Sequence, residues 1–263
     1  MEKIKDVMFR EGSTDRFGYE WNKYGQIVPE YEAQFLKWIF PLSKKDFVNK
    51  IVMDAGCGMG RNSFWSLKYG AKKVISFDYD YRTVDAAKKN LLKFDNSKVF
   101  FGSIYNVHYE NEFDISFSIG VIHHLKKPRE AVKALVKATK KGGIVLIWVY
   151  GYEGNEWIVK YVNPLRKITS RLPSSITHTI GYALSIPLYS YIKLFWPKHP
   201  YLRQLSNFRF WHVNSIVFDQ LTPRIANYWT KEEASSLFEE QGLKNIRAYR
   251  VNKNSWTIIG EKV

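Results

Sequence analysis

From residue 50 to residue 150 the sequence alternates short β-branched runs with helical stretches, and that alternation confines the chain to a parallel sheet covered by helices. The predicted strands are IVMDA (51–55), VISFD (74–78), VFFG (99–102), FDISFSI (113–119) and IVLIWVY (144–150). Residues 62–69, 81–94 and 128–140 are the predicted helices between them. In the last of these Ala131, Leu135 and Ala138 share one face and Lys133, Lys137 and Lys140 another, as a helix lying on a sheet requires. KKGG (140–143) reads as its end, cations followed by a C-terminal glycine.

The alternation breaks after residue 150 for about eighty residues. Pro164, Pro173, Pro187, Pro197 and Pro200 punctuate short apolar helical pieces there, and Ile176, Ile180, Leu184 and Leu188 recur every four residues as one apolar helical face. Order resumes at TKEE (230–233), a capping box opening a helix expected to reach Gln241. NIRAYRV (245–251) and SWTIIGEKV (255–263), joined by the turn NKN, read as a closing antiparallel pair. The predicted plan is an N-terminal cap segment (1–45), a core (46–150 and 230–263) and a basic, aromatic helical insert (151–229).

VMDAGCGMGRN (52–62) runs from a strand end into glycines spaced by single residues. Glycines let the backbone approach a ligand, and the following helix offers unpaired N–H groups. A dinucleotide fold expects G-x-G-x-x-G, whereas Gly56, Gly58 and Gly60 are followed by Arg61 where the third glycine would stand. Asp54, on the loop's own strand, would repel a diphosphate and suits a cationic ligand. Asp78 ends the next strand, where a carboxylate can accept both hydroxyls of a ribose. Gly60 reads equally as a concession to helix packing, and Cys57 as a small buried filler rather than a reactive thiol.

VMDAGCGMG, SFDYD (76–80), FFGSIYNV (100–107) and FDISFSIGVIHHLKKP (113–128) stand in order and at family spacing, and the chain resembles the class I S-adenosylmethionine-dependent methyltransferases. The resemblance implies a Rossmann-like α/β sheet, mostly parallel with an antiparallel C-terminal hairpin, and S-adenosylmethionine as cofactor. It implies that Gly56, Cys57 and Gly58 pass under the methionine portion, that Asp54 supports the loop or the amino group, and that Asp78 holds the ribose. Arg61 and Ser118 are assigned to the same cofactor site. Where many members carry an acid for the adenine amino group this chain has Ser103, so the base would be held by Ser103, Ile104 and packing on Tyr79.

In this fold the acceptor meets the methyl group beyond the carboxyl ends of the fourth and fifth strands. His123 and His124 stand there as candidate bases, with Tyr150 as a substrate contact; a free histidine titrates near pH 6.5, which suits a base at neutral pH. Adjacent helical residues diverge by about 100°, so one of the two histidines is expected to face the methyl group and the other to bond backbone locally. Members that hold a divalent ion at this stretch carry two carboxylates where Gly120 and His123 stand, so no metal is expected. FGYEWNKYG (17–25) resembles a cap that closes over the cofactor through Phe17, Tyr19, Trp21 and Tyr24, and reads equally as an amphipathic helix on the core.

Net charge is +15, and residues 157–218 contain no Asp or Glu while supplying eight Lys or Arg and twelve aromatics. Such a segment suits an apolar pocket, a peripheral membrane contact or an RNA face in which cations meet phosphate and rings stack on bases. The favoured reading is a methyltransferase acting on an O or N nucleophile of a small or amphipathic substrate such as a sugar, lipid-linked molecule or secondary metabolite. An RNA-modifying enzyme is the alternative, because related methyltransferases with a similar GVIHHL stretch act on wobble uridines of tRNA. A binding protein that has lost turnover is the third, resting on Ser103 and on the absence of a carboxylate after the fourth strand. A lone cysteine excludes an internal disulfide and a Cys-rich zinc site and fits a reducing, cytoplasmic compartment. Residues 172–192 are uncharged but half polar or Gly/Pro, and read as part of a soluble domain rather than a membrane span.

Overall fold

The computed structural model describes residues 26–195, 197–198 and 200–263. The cap residues Phe17, Tyr19, Trp21 and Tyr24 lie outside the described residues. A seven-stranded sheet is built from β1 (Ile51–Ala55), β2 (Lys73–Asp78), β3 (Ser97–Phe101), β4 (Phe113–Ile119), β5 (Thr139–Tyr150), β6 (Leu243–Val251) and β7 (Ser255–Lys262), in the order β3-β2-β1-β4-β5-β7-β6. All pairings are parallel except those of β7, which runs antiparallel to both β5 and β6. Strand order reverses between β1 and β4, so the crevice beyond their carboxyl ends is where a ligand belongs in such a sheet.

The helices are α1 (Glu30–Ile39), α2 (Arg61–Lys68), α3 (Tyr81–Leu91), α4 (Pro128–Ala138), α5 (Asn163–Thr169), α6 (Ser174–Phe195), α7 (Pro200–Leu205), α8 (Phe210–Leu221) and α9 (Lys231–Ser236). One sheet face packs Met53, Phe77 and Ile147 against Ala131, Leu135 and Ala138 of α4, the three residues singled out from their spacing. The other packs Phe117 and Leu146 against Phe35 and Ile39 of α1. The fold class is the one expected, a mostly parallel sheet with an antiparallel hairpin at its end.

Three local expectations are corrected. KKGG does not follow a helix end as a turn, because α4 stops at Ala138 and residues 139–143 already belong to β5. Phe113 pairs with Thr139 and Ile115 with Ile144, so two residues of β4 face five of β5 in a bulge. Gly142 turns it at φ +72°, and Lys140 closes an ion pair with Asp114 at 2.8 Å. The helix expected to reach Gln241 ends at Ser236 although its capping box forms as expected, with Thr230 accepting from the Glu233 amide and Glu233 from that of Thr230. The bonds Phe238 N to Ser235 O and Glu239 N to Ser236 O tighten the turn there, and Phe238 is fully buried in the core.

The third correction concerns the insert. Ile176 and Leu184 are not on the buried face of α6 but 48% and 44% exposed, and the buried line is Thr177, Gly181, Ser185 and Ile192. Small side chains there let α6 approach α8 closely: a Cβ on Gly181 would lie 3.8 Å from Phe218 Cβ. Ser185 donates to Asn214 Oδ1 at 3.1 Å across the same contact. Buried Arg166 fastens α5 to α8 and to the returning chain, donating to Gln220 O at 2.7 Å and to Tyr228 Oη at 3.0 Å. The insert leaves and rejoins the sheet at one place, where the Tyr152 amide donates to Trp229 O and the Trp229 amide to Tyr150 O. Among the described residues no helix is long and apolar enough to cross a membrane.

Candidate functional site

β1 ends in a loop whose glycines all take positive φ, +78° at Gly56, +54° at Gly58 and +82° at Gly60, a region that L side chains resist. The amides of Gly56 and Cys57 both donate to Phe77 O, which folds the loop across the end of β2. A Cβ on Gly56 would collide with Val121, and one on Gly60 would lie 3.2 Å from Ala87 Cβ of α3. Gly56 therefore serves the approach to the turn that follows β4, and Gly60 serves helix packing.

Two carboxylates flank the loop. Asp78 accepts from the Gly58 amide at 2.9 Å and from the Asp80 amide at 3.2 Å, and it lines the cavity. Burial raises its pKa to about 6 against the lowering effect of the Gly58 amide. Asp54 is fully buried behind the loop, where it accepts from Ser63 Oγ, which is also 2.8 Å from Ser76 Oγ. Burial raises its pKa to about 7 against the lowering effect of the Ser63 hydrogen bond. Its Oδ1 has no hydrogen-bond partner among the described residues, an orphaned acceptor that a cationic group over the loop would favour.

At the end of β3, Phe101 stacks between Tyr79 and Tyr81, with ring centroids 5.2 and 3.9 Å away. Ser103 Oγ accepts from the Tyr105 amide at 3.3 Å, which leaves its hydroxyl hydrogen and a second lone pair for a base beside Ile104. Arg61 stands at the start of α2 with its guanidinium 4.9 Å from the Trp38 ring and 5.2 Å from that of Tyr31.

His123 and His124 share a single 3-10 turn, Ile122–His124, in which successive side chains diverge by about 120°. His124 lines the cavity; His123 does not. His123 is fully buried, 3.7 Å centroid to centroid from Tyr150, and neither ring nitrogen has a hydrogen-bond partner among the described residues. His124 Nδ1 lies 2.7 Å from Ile225 O; a carbonyl only accepts, so Nδ1 carries the hydrogen and Nε2 the lone pair. The backbone partner expected for the outward-lying histidine thus belongs to the cavity-facing one, and it comes from the returning insert rather than locally. Burial pulls the His124 pKa down to about 4 and that of His123 well below its ordinary value. The free-histidine value expected for a base at this place is therefore corrected downward, and His124 is neutral at pH 7.

The glycine loop, Arg61, Asp78, Tyr79, Phe101, Ser103 and His124 open on one cavity of about 1690 Å³. It runs from Gly56–Met59 past Asp78, Tyr79, Ser103 and Ile104, then past His124 and Tyr150, and on beneath the insert to Leu188, Leu202, Leu205 and Ile216. Cys57 and Arg61 also line it. Pockets for one drug-sized ligand span roughly 300–1,000 Å³, so there is room for two ligands end to end. Asp54 and Ser118 do not line it: Ser118 Oγ is buried between β4 and β1, donating to Ala55 O at 2.8 Å. Asp54 is turned onto the sheet face covered by α2, where Ser63 meets it, and Ser118 is held against the β1 backbone. Among the described residues no cluster of three His, Cys, Asp or Glu could hold a metal ion.

Several contributors escape sequence reasoning. Ile225 orients His124, and Asn227 straps the histidine turn by donating its amide to His123 O at 2.8 Å and its side-chain nitrogen to Leu125 O at 3.3 Å. His212 of α8 meets Tyr31 of α1, 3.2 Å from Nδ1 to Oη, and both line the cavity. These pairings join residues about a hundred or more positions apart, and no local pattern marks them.

A family profile described as a methyltransferase domain matches residues 53–147. Curated relatives include proteins named tRNA U34 carboxymethyltransferase, from Helicobacter acinonychis at 32% identity and Helicobacter pylori at 34%, each over 127 residues that make 46% of this chain and 48% of the relative. The chain spans about half the length of these relatives. Among solved structures, a SAM-dependent methyltransferase from Aquifex aeolicus aligns with a TM-score of 0.52 at 14% identity, over 90% of this chain and 91% of the other. The magnesium protoporphyrin IX methyltransferase from Synechocystis with bound SAH aligns with a TM-score of 0.56 at 13% identity, over the full length of both. At such identities the two structures establish the fold alone.

Proposed function

We propose, from the premise that residues 53–147 are a class I S-adenosylmethionine-dependent methyltransferase domain, that the chain transfers the methyl group to an O or N nucleophile of a small, amphipathic acceptor lodged beneath the insert. The observation behind the acceptor class is the single cavity that joins the glycine loop to the apolar side chains of α6, α7 and α8. On this reading the Gly56–Gly58 backbone passes under the methionine portion and Asp78 accepts from the ribose hydroxyls. Tyr79, Ser103 and Ile104 hold the base. Asp54 acts from behind the loop, offsetting the cofactor's positive charge without touching it.

Methyl transfer from a sulfonium is an in-line displacement that removes a positive charge, so positioning in a dry pocket supplies much of the acceleration. His124 Nε2 is an acceptor for the hydrogen of the attacking hydroxyl or amine and thereby aims its lone pair. With its pKa depressed to about 4, His124 is a positioning acceptor first and a weak base second.

Calorimetry with S-adenosylhomocysteine tests the cofactor half. Asp78→Ala is expected to weaken binding by about 1–3 kcal/mol, since it removes both the ribose acceptor and the anchor of the Gly58 amide. An unchanged dissociation constant would take Asp78 out of the site, and no binding by the native chain would leave only a binding protein of another kind. His124→Ala should cut turnover by about 10²-fold or more with cofactor affinity nearly intact; equal rates would mean that positioning by the cavity walls suffices.

The names of the Helicobacter relatives favour a second reading, a tRNA-modifying enzyme whose cavity takes an extruded base. A salt titration of bulk tRNA binding separates the two. Phosphate contacts make affinity fall steeply with salt, and absence of binding at low salt would remove this reading.

A further inference from the structure

The outer face of the insert is unlike the rest of the surface. Of seventeen large apolar side chains exposed among the described residues, eleven lie within residues 157–195. Tyr161, Leu165 and Ile168 recur at i, i+4 and i+7, bordered by the exposed cations Lys160, Lys167 and Arg171. Beyond them α6 exposes Ile186, Tyr191 and Leu194. No carboxylate occurs anywhere in residues 157–218 to oppose this charge. Five of the exposed apolar residues, Trp157, Tyr161, Leu165, Leu184 and Tyr191, also line the cavity, so its mouth opens on this face.

We propose that this face docks on an anionic membrane surface and so brings the cavity mouth to lipid-anchored acceptors. Rings and aliphatic side chains enter the headgroup boundary while lysine and arginine at its border meet lipid phosphate, the pattern of helices that lie on a bilayer rather than cross it. Charge complementarity selects the occupant. A neutral protein partner would leave the cations unanswered, and a nucleic acid would leave Ile168, Ile186 and Leu194 exposed, because aliphatic side chains offer nothing to phosphate. The choice of a lipid-anchored acceptor rests on the methyl-transfer reading above; the docking surface itself does not.

The test is co-sedimentation of the full chain with vesicles of phosphatidylcholine alone and of phosphatidylcholine mixed with phosphatidylglycerol. Binding is expected to the mixed vesicles and to weaken with salt. Ile168→Asp with Leu194→Asp, at sites 64% and 76% exposed, should reduce it about tenfold or more. Lys167→Glu with Arg171→Glu should do likewise, while Leu92→Asp, 83% exposed beyond the end of α3, should change nothing. Failure to bind mixed vesicles at low salt overturns the proposal. So does binding that Leu92→Asp reduces as strongly as the insert variants. A dimer without vesicle binding that Ile168→Asp with Leu194→Asp splits would assign the face to a second copy; vesicle binding abolished by bulk tRNA and indifferent to the aspartates would assign it to nucleic acid, and either overturns the proposal. Calorimetry with S-adenosylhomocysteine on the same samples keeps the two readings apart: vesicle binding without it supports the docking surface and sinks methyl transfer.

Discussion

Gly56→Ala is expected to weaken binding of S-adenosylhomocysteine by about 2–5 kcal/mol. Two costs combine. Gly56 sits at φ +78°, where a Cβ costs roughly 1–2 kcal/mol, and the new methyl would collide with the Val121 side chain, an overpacking cost of about 1–3 kcal/mol. The loop escapes both by leaving the conformation in which the amides of Gly56 and Cys57 reach Phe77 O, and that is the conformation proposed to cradle the ligand. Adding Val121→Ala removes the colliding Cγ atoms but not the backbone cost, so the double variant should recover about tenfold in affinity. Calorimetry of both variants, with thermal melts to show that they fold, decides the matter; wild-type affinity in the single variant would mean that the loop does not bind the cofactor in this shape.

Asp54→Asn is expected to flatten the pH dependence of stability in the unliganded protein. Asp54 has a pKa of about 7 when folded, against an ordinary value near 3.9 when unfolded, because its carboxylate is fully buried. Between those values the folded chain holds a proton that the unfolded chain has lost, so stability falls as pH rises. This contribution is present below about pH 4 and is lost as pH climbs through 7, a change of about 2–4 kcal/mol. Asp78, raised to about 6, adds in the same direction. Urea denaturation at pH 5 and pH 8 should show the native chain losing stability with pH and Asp54→Asn losing much less; equal slopes would show that Asp54 does not hold its proton in the fold. A cationic ligand over the loop reverses the balance by favouring the carboxylate. Calorimetry near pH 7 in buffers of different ionisation enthalpy should therefore detect proton release when S-adenosylmethionine binds the native chain, and less of it in Asp54→Asn.

His124 is held by the returning end of the insert. Its Nδ1 is held by Ile225 O, and the turn that carries it is strapped by Asn227, both in the segment that returns from α8 to the sheet. Buried Arg166 ties that same return to α5 through Tyr228. On the proposed reading, acceptor recognition and orientation of His124 are thereby mechanically linked, and a substitution at Asn227 is expected to act on turnover through the histidine it positions.

The sequence by itself determined the sheet, the glycine loop and the carboxylate beside it. These are local or periodic properties: β-branched runs of strand length, glycines where positive φ is required, an acid at the end of the next strand, and a turn of NKN between two strands. Only the tertiary structure decided which face of α6 is buried, because close approach to α8 rewards the small residues Thr177, Gly181 and Ser185 over the apolar line of Ile176 and Leu184. It also decided that His124 rather than His123 faces the cavity, since a 3-10 turn and a carbonyl a hundred residues away aim the ring. Asp54 and Ser118 belong to motifs legible in the sequence yet lie off the cavity, Asp54 bonded to Ser63 of α2 on a covered sheet face and Ser118 to the β1 backbone. Periodicity reports what an element can bury; what it does bury depends on the partner that approaches it, and that partner comes from elsewhere in the chain.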